Sequence, residues 1–166
     1  MASSLYFIVL LCLTSGLWSG ANAKCPGRGP CCEKCPDGWT QYDSRCFIFH
    51  FQEKDWADAE VTCVDIGGNL ASIRTADDYS ALRNMVNGST GTDKATWIGG
   101  YDAVKEGVWK WSDGKKFDFN GWHKGEPNNN GGAENCMEIN YKEQDFVNDA
   151  KCDEKRSFIC AKDTSS

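Results

Sequence analysis

The chain predicts an α+β domain stapled by disulfides. Three observations carry this reading. Two segments near the front, 54–63 and 75–86, repeat their apolar residues at helical spacing, whereas the later sequence breaks into short apolar bursts between Gly, Asp and Asn. Helices and strands segregated in this way belong to the α+β class. Cysteine is dense, ten in 166 residues, which fits an oxidising compartment. Seven Trp and eight Phe, all but Trp18 and Phe7 lying beyond residue 23, supply large apolar pieces for one core of ordinary size.

Taken in order, residues 1–23 read as a secretory leader, an apolar run from Leu5 to Leu13 ending in the small-residue sequence Ala21-Asn22-Ala23. That run is too short for a membrane span. Residues 24–34 form a Cys-rich arm, 35–162 the domain, and 163–166 a tail. Loss of the leader takes Cys12 with it and leaves nine cysteines, an odd number. Cys25, Cys31 and Cys32 sit in the Pro/Gly-rich arm, where two readings stay open: a disulfide-linked dimer, or a local bridge with one thiol left over. The lack of a second Cys pair at finger spacing and the isolation of His50 and His123 weigh against a zinc site.

Within the domain, residues 38–42 and 45–51 read as a hairpin turning at Asp43-Ser44, which Cys35 and Cys46 could staple. Trp56, Ala59 and Cys63 mark one face of a first helix that Gly67-Gly68 ends. A second helix starts at Thr75, where Thr75-Ala76-Asp77-Asp78 resembles a capping box, and its apolar face is Tyr79, Leu82 and Val86. Asn87-Gly88-Ser89 is expected to close it and is also an N-glycosylation sequon at Asn87. Residues 95–100, 108–111, 117–119 and 157–161 read as short strands.

The net charge of −6 and the absence of a basic stripe argue against nucleic acid and against anionic membranes as partners. Catalysis finds no support, because neither histidine lies in a nucleophile motif. From Gly121 to Met137 the chain has no periodic pattern, and a loop of that length in a compact domain is commonly functional or disordered. It holds Glu126-Pro127-Asn128 and Glu134, with Asn148-Asp149 beyond. Five oxygen-bearing side chains suit one Ca2+ ion, which takes about six to eight oxygen ligands in irregular geometry. Positions they leave open would fall to water or substrate.

Over residues 35–162 these motifs, with Trp97-Ile98-Gly99-Gly100, Glu134-Asn135-Cys136 and Phe158-Ile159-Cys160, resemble a C-type lectin-like domain. Small soluble fish lectins and the type II antifreeze proteins are the similar branch. The resemblance implies two helices beside two small antiparallel sheets with a long loop above. It implies the pairings Cys35–Cys46, Cys63–Cys160 and Cys136–Cys152, one of fifteen ways to pair six cysteines. It also implies a sugar-binding calcium site at Glu126, Asn128, Glu134, Asn148 and Asp149, with glycans on cells or microbes as partners. Of these, Glu126, Asn128, Glu134 and Asn148 would also meet the sugar. Glu126 before Asn128 is the mannose/glucose order, although this rule leaves galactose open, and Trp122 or Phe146 is the candidate for stacking on the sugar. An accessory calcium site would use Asp102 and Glu106, but its other acidic positions are Asn129 and Asn135, so it is expected to be partial or empty. The alternative function is an ice-binding or protein-binding surface on the same fold. Lys110, Lys115, Lys116 and Lys124 weigh against ice.

Overall fold

The computed structural model describes residues 34–164; the leader and Cys25, Cys31 and Cys32 of the arm lie outside the described residues. Strands β1 (Thr40–Tyr42) and β2 (Arg45–Lys54) form the expected hairpin, with Asp43 taking the left-handed conformation at its turn (φ 51°). β2 then pairs antiparallel with the last strand, β8 (Arg156–Asp163), from Arg45↔Asp163 to His50↔Phe158, so the two ends of the domain are zipped together.

Helix α1 (Trp56–Asp65) begins at Asp55, whose carboxylate accepts the Asp58 N–H at 2.8 Å. Its inner face buries Ala59 and Cys63, and Cys63 is joined to Cys160 of β8. Closing a loop of 97 residues is worth about 4–5 kcal/mol in the chain-entropy picture. Disulfides also link Cys35 to Cys46 and Cys136 to Cys152. A two-residue strand, β3 (Asn69–Leu70), adds to β8.

Helix α2 (Ala76–Thr90) is capped by Thr75, whose Oγ1 accepts the Asp78 N–H at 3.0 Å. Asp78 does not return to the Thr75 amide as in a capping box. Its Oδ2 accepts instead from the Arg74 N–H at 2.9 Å and from the buried Arg45 guanidinium at 3.1 Å. The helix also outruns the stop expected at Asn87-Gly88-Ser89. It ends at Gly91, which adopts φ 76° and donates its N–H to Asn87 O at 2.8 Å. Gly88 stays helical because the left-handed position falls three residues later.

The remaining strands are β4 (Thr96–Tyr101), β5 (Lys110–Trp111), β6 (Cys136–Ile139) and β7 (Val147–Ala150). Strand order is β1-β2-β8-β4-β6-β7, with β3 on β8 and β5 on β4. The two antiparallel groups are continuous, because β4 and β8 pair in parallel at Thr96↔Ser157 and Trp97↔Phe158. Gly99 permits the chain bearing Leu70 to come close: a Cβ there would sit 2.6 Å from the Leu70 carbonyl oxygen.

Residues 117–119, expected as a strand, have no strand partner. Phe117 and Phe119 instead join an aromatic cluster, with Phe117 4.8 Å from Trp111 and Phe119 5.8 Å from Trp122 between ring centroids. Trp122 meets Trp109 edge to face at 4.6 Å. These rings pack on the core around Ile98, Met137, Ile139 and Val147, and so fix the chain just before the long loop.

Candidate functional site

The base of the site is a strand. Pairing of β6 with β7 sets Met137 opposite Asp149 and Glu138 opposite Asn148, and both Asn148 and Asp149 are buried. The loop is tied to this base at its start, where the His123 N–H donates to Val147 O at 3.1 Å and the Glu126 N–H to His123 O at 2.9 Å. Pro127 follows through a cis peptide bond.

Asp149 then holds the loop tip. Its Oδ1 accepts the Asn128 N–H at 3.0 Å and its Oδ2 the Asn129 N–H at 2.7 Å. Asn129 is left-handed, and its side-chain oxygen accepts the Glu134 N–H at 3.0 Å, while Glu134 Oε2 accepts the Asn130 N–H at 2.9 Å. Short polar side chains that bond backbone amides in this way shape the loop tip.

The carboxylates gathered here disturb one another. Burial, then the proximity of Asp149 and the charge of Glu134, push the Glu126 carboxyl above its ordinary range. Its Oε2 atom is buried and has no hydrogen-bond partner among the described residues. Glu134 is raised by burial, with Asp149 adding to the effect against the bond from the Asn130 amide. Asp102 is buried, accepts the Gly107 N–H at 2.7 Å through Oδ2, and leaves Oδ1 buried without a partner. Burial raises it, and Asp149 adds to the rise. Exposed Glu106 accepts from the Asn129 side chain and belongs to the same acidic neighbourhood.

Asn148 donates its Nδ2 to Glu138 Oε1 at 3.0 Å. Glu138 is wholly buried and its other oxygen accepts from Arg156 Nε at 2.9 Å. Burial raises the Glu138 carboxyl while Arg156 and Asn148 oppose the rise. Arg156 also pairs with Glu154 and lies over the Trp97 ring. Sequence reasoning passed over Glu138. The available signal was a lone acid within the apolar run Cys136-Met137-Glu138-Ile139.

Of the two stacking candidates, Trp122 is engaged by Trp109 and Phe119, whereas half-buried Phe146 stacks on His123 at 3.5 Å beside the loop entrance. Asn87 is exposed on the last turn of α2, with its amide donating to Asp93 at 3.1 Å. Among the described residues, no group of three or more His, Cys, Asp or Glu side chains is arranged to hold a metal ion, and no helix is long and apolar enough to cross a membrane.

The lectin C-type domain matches residues 52–162. The galactose-specific lectin nattectin of Thalassophryne nattereri is 47% identical over 162 residues, 98% of this chain and 99% of that protein. The lactose-binding lectin l-2 of Anguilla japonica is 42% identical over 137 residues, 80% of each chain. Among solved structures, herring type II antifreeze protein superposes with a TM-score of 0.72 at 31% identity, covering 78% of this chain and 98% of that one. Domain match, near full-length similarity and shared fold together establish that this chain belongs to the C-type lectin domain family.

Proposed function

We propose that the chain is a secreted, calcium-dependent lectin whose sugar site is formed by Glu126, Asn128, Glu134, Asn148 and Asp149. One observation carries the reading: Glu126 ends in a buried oxygen without a partner, close to Asp149 and within the field of Glu134, with no cationic side chain among the causes of its shift. Carboxylates this close, eased only in part by backbone amides and, at Glu134, by Lys151, are an environment a hard divalent cation relieves. The donor set fits in kind, since three carboxylates and two amide oxygens match calcium's preference for oxygen.

When bound, the ion would offer open coordination positions to neighbouring sugar hydroxyls. The protein supplies the rest. Carboxylate oxygens of Glu126 and Glu134 accept from those hydroxyls, and the Asn128 and Asn148 amides donate to them. Asp149 keeps the loop tip in register through its two amide bonds. Asp102 and Glu106 are the candidates for an accessory ion, weakened because Asn129 and Asn135 carry no charge.

The order Glu126 before Asn128 supports mannose or glucose as ligand. Galactose is the second reading, favoured by two relatives named galactose-specific and lactose-binding. Glycans of cell surfaces or microbes are the proposed partners, reached after secretion directed by residues 1–23. Chains linked through Cys25, Cys31 or Cys32 would gain avidity, and Asn87 is the proposed glycosylation site. Likeness to antifreeze protein supports ice binding as the competing function.

Binding of the purified mature chain to immobilised mannose, glucose, fucose and galactose, with calcium and then with chelator, tests the proposal. Chelator-sensitive binding is the expected result, and the sugar ranking decides between the two readings. Absence of calcium-dependent binding to every sugar, with inhibition of ice recrystallisation, would establish the competing function.

A further inference from the structure

We infer that Glu138 is a positioning residue that fixes the polarity of the Asn148 amide, turning its oxygen toward the cation site. The inference rests on the calcium reading above. Its ground is the donor–acceptor logic of three buried or half-buried groups in a row. Arg156 can only donate, an ionised Glu138 can only accept, and so the group of Asn148 that meets Glu138 at 3.0 Å must be its NH2. The Asn148 oxygen therefore faces away from Glu138. The arrangement is held tightly, because Glu138 is wholly buried and Asn148 nearly so, and both carboxylate oxygens of Glu138 are engaged. Cross-strand pairing of Glu138 with Asn148 supplies the backbone register that makes this contact.

A free amide can present either end to a cation at the cost of a rotation. Glu138 removes that choice before the ion arrives, in the manner of outer groups that orient metal ligands. Glu138→Gln inverts the device. The oxygen of the introduced amide stays with Arg156, its NH2 turns to Asn148, and Asn148 must answer with its own oxygen, leaving its NH2 toward the cation. In the double variant E138Q/N148D the polarity is restored, since the introduced carboxylate accepts from the introduced amide and still offers an oxygen to the ion.

The test is a double-mutant cycle on the mature chain. Calcium affinity is measured by titration calorimetry for wild type, E138Q, N148D and E138Q/N148D. Solvent exchange of the Asn148 side-chain amide is followed by NMR in chelator. E138Q is expected to weaken calcium binding by about 10- to 100-fold when Asn148 is present, to have no such effect in the N148D background, and to speed exchange of the Asn148 amide protons in the calcium-free protein. A purely structural Glu138 would produce the same loss in both backgrounds and leave exchange unchanged, which would overturn the inference while the calcium reading stands. Wild-type protein that binds no calcium would overturn both.

Discussion

Asp78 is a buried carboxylate and Glu126 a half-buried one, and the fold treats them in opposite ways. Asp78 receives a backbone N–H from Arg74 and lies against the guanidinium of Arg45, so its charge is matched within the fold. Glu126 has a buried oxygen with no partner and acidic neighbours. A desolvated charge costs several kcal/mol unless it is paired, so a fold keeps an unpaired one only where something else supplies the pairing. Compensation from within marks Asp78 as part of the architecture. Its absence at Glu126 is what the proposed cation site rests on.

The contrast breaks most forcefully at the compensated end. Asp78→Ala leaves Arg45 buried and unpaired, and is expected to lower stability by about 3–5 kcal/mol in urea unfolding. Arg45 would keep its bonds to Ser72 O at 2.7 Å and Ser72 Oγ at 3.1 Å but lose the carboxylate it pairs with, and burial already lowers its pKa. Calcium binding by the fraction that remains folded should be unchanged. Weaker calcium binding would mean that the two regions are not separable.

At the uncompensated end the expected effect is conditional. Calcium at a hundred times its Kd should raise wild-type stability by about 2.7 kcal/mol, through binding to the folded state alone. Glu126→Gln should abolish that gain in thermal unfolding scans. In chelator the same substitution should leave the protein as stable as wild type or more so, because it removes one of several mutually repelling charges. A loss of stability in chelator would class Glu126 with Asp78.

Much of the architecture was legible because it rests on local rules. Thr75 caps α2 through its own side chain, and the hairpin turns where Asp43 tolerates a left-handed backbone. Where local signals misled, long-range packing decided. The Phe117-Asp118-Phe119 alternation has the period of a strand, but those rings are claimed by Trp111 and Trp122, and no neighbouring strand is offered to them. The continuation of β4 into β8 is a parallel contact between segments far apart in sequence, which no local pattern reveals. The candidate ligands were legible as five oxygen-bearing side chains around one long loop, and as an assigned set through the family pattern, since each Asn and Asp alone suits an ordinary turn. Glu138 stayed hidden because its meaning depends on Arg156 and Asn148, which cross-strand pairing and β8 bring to it.

The smallest effects sharpen the comparison by sign. Folding raises the pKa of Glu126 and Glu134, chiefly through burial. In chelator their contribution to stability is therefore fully present below their unfolded pKa values and is lost as pH rises through the folded ones. Asp55, at the start of α1, is lowered first by its hydrogen bond from Lys155 and then by the Asp58 amide. Its contribution is present above its unfolded pKa and is lost as pH falls through the folded one. Asp55→Ala should cost about 1 kcal/mol at neutral pH, as for other helix caps, with the penalty fading in acid. E126Q/E134Q should gain on wild type as pH rises from acid to neutral. Melting curves in chelator across that range check both slopes. Slopes of the same sign would mean that the loop carboxylates are compensated within the protein after all, and the case for a cation at Glu126 would fall with that result.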